Sequence, residues 1–280
     1  LYNDTVRYQQ NTEQLRYAAE KLGSTDDLLL SLDDALEEPM GEKAAAFLDE
    51  RQGDVDQAVA ALDEAESAAA EAMAGLRETL EREAADALMA GSSSRRTMFE
   101  NGVEILVAAQ NAIQPYDQIN EAWQKIVEAD DVARDAAALA TQGSQDVIAQ
   151  SSDLSRQASD LFQQARAEIE AISSQSEAID LGQYLSYIDK RIEALGYAVA
   201  SNDALLARDT ATAVQQNDAY NQADREAAEI AASFPPDPGQ PFLDALESDT
   251  ADQVESYEAA RGQASASDAF LRDYLGSSGK

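Results

Sequence analysis

An all-α fold, an elongated antiparallel helical bundle with long coiled-coil-like helices, is what this sequence predicts, and three observations predict it. Ala, Leu, Glu, Gln and Arg are abundant, and these side chains lose least freedom on entering a helix. Alternation of β-branched and polar residues, the mark of a half-buried strand, is absent. Apolar residues instead recur every three or four positions over long stretches, which gathers them on one stripe of a helix.

Residues 1–53 read as short N-terminal helices. The first runs from about Asp4 to Leu22 and stops at Gly23, a residue suited to the C′ position. Ser24, Thr25 or Asp26 caps a second helix carrying Leu28, Leu29, Leu30, Leu32 and Leu36, which ends before Pro39. A third, from about Glu42 to Arg51, ends at Gly53.

Residues 54–180 read as a long-helix bundle. Val55, Val59, Leu62, Ala65, Ala69, Met73, Leu76, Leu80, Ala84 and Leu88 form a heptad-like stripe that stops at Gly91 and a Ser run. At about 1.5 Å per residue this is a rod of roughly 50 Å. Gly75 within it costs about 1 kcal/mol relative to Ala. A second segment carries Met98, Val103, Leu106, Val107, Ala109 and Ile113; Pro115 kinks or restarts it, and Tyr116, Ile119, Trp123, Ile126 and Val127 continue its apolar face. Asp130 and Asp131 open a brief Ala-rich helix that ends before Gly143. A third rod follows Ser144, with Val147, Leu154, Ala158, Leu161, Ala165, Ile169 and Ile172 on its stripe, while its Ser, Gln and Asp face reads as solvated.

Residues 181–233 form a helical hairpin, 234–242 a Pro-rich connector, and 243–280 a C-terminal helix, about Ala251 to Leu275, with a flexible tail from Gly276 to Lys280. The connector holds four prolines between Phe234 and Phe242, which favour an extended course. It reads as a stiff strap whose two Phe rings pack on the bundle rather than as a recognition strap for another protein. Three long rods joined by short turns bury their stripes most economically as an antiparallel bundle, similar in architecture to a spectrin repeat but without kinship in sequence. No 34-residue period recurs, so tetratricopeptide-like repeats are not indicated.

Charge is the second theme. Against 54 Asp plus Glu stand 20 Lys plus Arg, a formal net charge of −34. Only five of the basic residues are Lys. Such a composition resembles that of proteins from extremely halophilic archaea, where concentrated salt screens crowded carboxylates. Disorder, the other common reading of strong acidity, conflicts with the periodic apolar stripes and a hydrophobic share of 44%.

The chain has no His and no Cys. Disulfides, thiolate sites, the usual nucleophile–base pairs and nearly all zinc sites are therefore unavailable. No phosphate loop, dinucleotide fingerprint or twelve-residue calcium loop occurs, so no catalytic, cofactor-binding or metal-binding residue is nominated. The carboxylate pairs Asp26-Asp27, Asp33-Asp34 and Asp130-Asp131 read as helix caps and solvated faces. So negative a body repels nucleic acid and anionic membranes, and no stretch approaches the about 18 apolar residues of a membrane span.

Two function classes remain. One is a non-enzymatic scaffold or protein-interaction protein of an extreme halophile, whose partner is another protein or a second copy through the unpaired part of a stripe. The other is a ligand-binding or sensor module with a pocket between helices, for which Trp123, Tyr184, Tyr187 and Tyr197 are the candidate lining. The pattern Asn3-Asp4-Thr5 makes Asn3 a candidate glycosylation acceptor and inclines both readings toward the cell surface or exterior, with the cytoplasm of a salt-in halophile as the alternative. The chain opens at Leu1 rather than Met, which fits removal of a signal or lipid-anchor segment.

The charge carries a direct test. The melting temperature is expected to fall as KCl drops from molar to about 0.05 M, where screening is lost. A melting temperature unchanged over that range, followed by circular dichroism, would contradict adaptation to high salt.

Overall fold

The computed structural model describes residues 2–175 and 179–278, with side chains for 5–175 and 179–274. Among them the protein is all-α, with no strand. The helices are α1 (Tyr2–Gly23), α2 (Asp26–Leu36), α3 (Glu42–Met73), α4 (Thr79–Ala140), α5 (Gln145–Gln175), α6 (Gly182–Leu206), α7 (Thr210–Ala231) and α8 (Gln240–Ser278). They divide into two compact units, the first made of residues 1–111 and 246–280, the second of residues 112–245.

Several breaks fall elsewhere than the sequence suggests. Gly53 does not end a helix; α3 runs through it. The 54–88 rod is instead interrupted after Met73, where Gly75 and Leu76 turn through backbone bonds to Ala72 and Met73, and Arg82 Nε caps Leu76 O at 3.0 Å. The Gly-Ser-Ser-Ser run at 91–94 stays inside α4 because small residues are needed there: Ser92 and Ser94 are buried, and a Cβ on Gly91 would stand 3.4 Å from Leu22 and from Ser267. Pro115 and Asp130 also lie within α4 rather than starting new helices. At the other end of the chain, α8 begins at Gln240, before the expected start, and continues through 276–278, part of the expected tail; residues 279–280 lie outside the described residues.

The turns that do form have clear local causes. Gly143 takes φ +77 between α4 and α5, a left-handed conformation that Gly adopts without steric cost. Between α6 and α7, Arg208 adopts φ +62, with Arg208 N bonded to Leu205 O and Asp209 N to Ala204 O at 2.8 Å. That paired closure is a Schellman ending built on an arginine. Asp209 then caps α7, accepting from Thr212 N at 3.1 Å and from Thr212 Oγ1 at 2.6 Å.

The first unit's core joins Leu15 and Leu22 of α1, Leu28 and Leu32 of α2, Phe47 and Leu62 of α3, Leu88, Phe99 and Leu106 of α4, and Tyr257 and Leu271 of α8. Arg95, 4% exposed, ties four of these helices together. Its guanidinium donates to Leu22 O near the end of α1, a carbonyl that also accepts from Thr25 N at 3.2 Å and Thr25 Oγ1 at 2.8 Å, and to Thr25 Oγ1 at 3.3 Å. It also meets Asp26 of α2 at 2.8 Å and Asp268 of α8 at 2.9 Å.

Replacing Arg95 by Met keeps volume but removes the fork. Both carboxylates keep substantial contact with water, so the expected loss is about 2 kcal/mol rather than the larger cost of stranding a buried charge. Chemical denaturation in molar salt checks this, and an unchanged midpoint would remove Arg95 from its structural role.

Candidate functional site

Of the four aromatic residues nominated from sequence, the structure brings three together. Trp123 of α4 packs edge-on to Tyr184 of α6 at 5.8 Å. Phe234, from the Pro-rich segment, stacks on Tyr184 at 4.9 Å and meets Trp123 and Tyr187 edge-on at 5.3 and 5.4 Å. The Phe234 ring therefore occupies the space beside these rings, and Tyr184 and Tyr187 are buried. Tyr197 stands apart, half-buried on α6, its hydroxyl donating to Glu193 Oε1 at 3.2 Å. Asn3 belongs to α1 by its backbone, and its side chain lies outside the described residues.

The Pro-rich segment is held down by polar contacts as well as by rings. Tyr116 Oη donates to Asp237 Oδ2 at 3.0 Å, Gly239 N donates to Asp237 Oδ1 at 2.8 Å, and Tyr184 Oη donates to Pro238 O at 3.2 Å. Gly239 admits the Tyr116 ring, since a Cβ there would fall 2.2 Å from Cε2. Phe242 follows, buried in the same core as Ile126, Phe162 and Ile188.

Beside this core Arg191 forms an ion-pair node. It meets Asp130 at 2.7 Å and Asp224, and lies over the Phe162 ring at 5.7 Å. Tyr187 Oη donates to the second oxygen of Asp130 at 2.6 Å. Burial, and then that hydrogen bond to a carboxylate, hold the Tyr187 phenol well above its ordinary value of 10.0. Of the carboxylate pairs singled out in sequence, Asp33 accepts from Tyr257 at 2.6 Å and Asp131 pairs with Arg134 at 2.7 Å. Among the described residues no cluster of three or more carboxylates converges as a cation site would require.

An open space of the second unit lies elsewhere. A half-open cavity of about 510 Å³ lies between the C-terminal end of α4, the first half of α5, the second half of α6 and the first half of α7. That volume is in the range of small-molecule sites. Its floor is formed by Ala133, Ser151, Ser155, Leu195, Ser201, Asn202 and Ala213, all buried. At its rim stand Leu205, 39% exposed, and Val214, 62% exposed. None of the sixteen lining residues carries a charge, although 26% of the chain does. Tyr220 also lines it, its phenol raised by burial and then by the nearby Asp224 charge.

Compared with protein-family models, with curated proteins and with solved structures, the chain matches none. The site must therefore be read from its own chemistry. None of the nominated aromatic residues lines the cavity; two of its polar groups, Ser151 and Ser155, come from a face of α5 that the sequence suggests is solvated. Ser151 and Ser155 are 1% and 2% exposed. A signal for them does exist: Ile148, Ser151, Ser155, Ala158, Phe162, Ala165, Ile169 and Ile172 alternate steps of three and four, and all are buried.

A tyrosine whose folded value exceeds its unfolded one keeps its proton after the unfolded chain has lost it. Stability is then fully present below about pH 10 and falls as pH rises above it. Tyr187→Phe is expected to cost about 1 kcal/mol at neutral pH, through the lost hydrogen bond, and to make the decline above about pH 10 shallower. Thermal melts from about pH 8 to about pH 11 check both signs. A variant whose decline matches the wild type would contradict the placement of this proton.

Proposed function

We propose that the protein is a non-enzymatic helical binding module that captures a small uncharged molecule in the cavity of its second unit, in a salt-rich medium. The observation that carries this reading is the cavity itself: small-molecule sized, floored by buried polar groups, apolar at part of its rim and lined without a charge. In a chain of net charge −34, a concave surface free of carboxylates is where an uncharged solute loses least on leaving water.

Binding without chemistry is supported by the same lining. Its Ser, Thr and Tyr hydroxyls have no charged neighbour in the cavity wall to act as base, and a hydroxyl is a weak nucleophile until one is present. The scaffold reading draws on exposed apolar side chains such as Leu30, Leu80, Val107, Val127 and Val254. These lie on different helices or far apart on one, and exposed apolar side chains are in themselves ordinary on a folded surface. The capture reading therefore takes precedence.

Nile red, an uncharged dye that brightens in apolar surroundings, tests it. Wild-type protein in molar KCl is expected to bind it saturably, and Ala198→Trp, which fills the cavity from α6, to weaken binding by about tenfold or more with helix content kept. Absence of binding to the wild type, or equal binding by the tryptophan variant, would contradict the proposal.

A further inference from the structure

We infer that the cavity takes an uncharged alcohol hydroxyl-first, with the apolar body of the ligand directed toward the rim. This rests on the capture reading above and adds the identity of the polar group.

The inference comes from where the floor's hydrogens go. Ser151 Oγ donates to Ala136 O at 2.8 Å, Ser155 Oγ to Ser151 O at 2.9 Å, and Ser201 Oγ to Ala213 O at 3.0 Å. Each serine hydroxyl has one hydrogen and two lone pairs, so each has lone pairs alone left to offer. Because Ser151 has spent its hydrogen, it can only accept from Asn202, and Asn202 Nδ2 donates to it at 3.0 Å. That bond fixes which end of the amide is nitrogen. Asn202 is left with one further N–H and its carbonyl oxygen.

The floor thus presents acceptors from Ser155, Ser201 and Asn202, with one remaining lone pair on Ser151, and one donor, the second N–H of Asn202. A hydroxyl supplies the complementary pair from a single oxygen: its hydrogen goes to one of the acceptors and its lone pair takes the Asn202 N–H. Of the floor's groups an ether or ketone can use only the N–H, and it leaves the acceptors unanswered. A hydrocarbon answers none, and unpaired buried groups are costly. A carboxylate brings negative charge against oxygen acceptors with no cation in the wall. Toward the outside, the exposed Leu205 and Val214 offer apolar surface to the rest of the molecule.

The experiment is displacement of Nile red from wild-type protein in molar KCl by decanol, decyl methyl ether, decane and decanoate, each below its aggregation threshold. Decanol is expected to displace at a concentration about tenfold lower than the ether, the worth of a satisfied buried hydrogen bond, and decane and decanoate to be weaker than decanol. Asn202→Leu is expected to shrink the alcohol-to-ether ratio to about threefold or less. Equal displacement by alcohol and ether, or decanoate as effective as decanol, would overturn the hydroxyl-first inference and leave the cavity as a binding site. Failure of Nile red to bind at all would remove the capture reading together with this one. Should Asn202→Leu not fold, the wild-type series decides alone.

Discussion

Excess negative charge is the constraint on which the rest of this structure depends. With a net charge of −34, a carboxylate taken out of water has few cations to meet, and an unpaired buried charge is prohibitive. The helices solve this by facing inward with Ala, Leu, Ile and Phe and outward with acid. Lysines join helices at half-exposed pairs such as Lys21–Glu64 and Lys125–Glu168, whereas the two most buried ion-pair nodes among the described residues are built on arginine. Arg95 in the first unit and Arg191 in the second each meet carboxylates on two other helices. A planar fork reaches two carboxylates at once, which a lysine ammonium does as a point charge only, and this accounts for the preference for Arg at these nodes. Exposed pairs such as Arg134–Asp131 contribute little by comparison.

Alanine carries the second consequence. A core face built on small side chains lets helices approach closely where they fit, as at Gly91 and Ser92 beside α1 and α8, and leaves a void where they diverge. In the second unit the aromatic residues crowd one part of the core, with Trp123, Tyr184 and Tyr187 gathered around Phe234 and Phe162 against Tyr187. The cavity is walled instead by Ala133, Ala137, Ala140, Ala198 and Ala213, whose single methyl groups do not span the gap. The bound hydroxyls on its floor are oriented by backbone carbonyls of their own helices and neighbours, so the polar geometry is set before any ligand arrives.

The all-α class was legible in the sequence because 3.6-residue periodicity survives every local irregularity. The breaks were not, because Gly, Pro and Ser carry two meanings. The run at 91–94 looks like a turn, yet its small residues serve helix contacts within α4; Gly75, which looks tolerable inside a rod, marks the actual turn. Asp130 looks like a cap and is a partner of Arg191 and Tyr187, a long-range pairing that no local pattern encodes. The aromatic cluster was partly legible, since helical spacing puts Tyr184 and Tyr187 on one face, but that Phe234 fills the space beside them depends on the fold. The cavity was missed because Ser151 and Ser155 read as polar, although their spacing continues the buried stripe; position outweighed polarity there. Ser201 and Asn202 give no such cue.

The central claim is that this cavity receives an uncharged ligand, and amide chemical-shift mapping tests it most directly. On titration of the isotope-labelled protein with decanol in molar KCl, saturable shifts are predicted at the amides of Ser151, Ser155, Ser201, Asn202, Leu205 and Val214. Shifts scattered over the surface, or none at these residues, would contradict it.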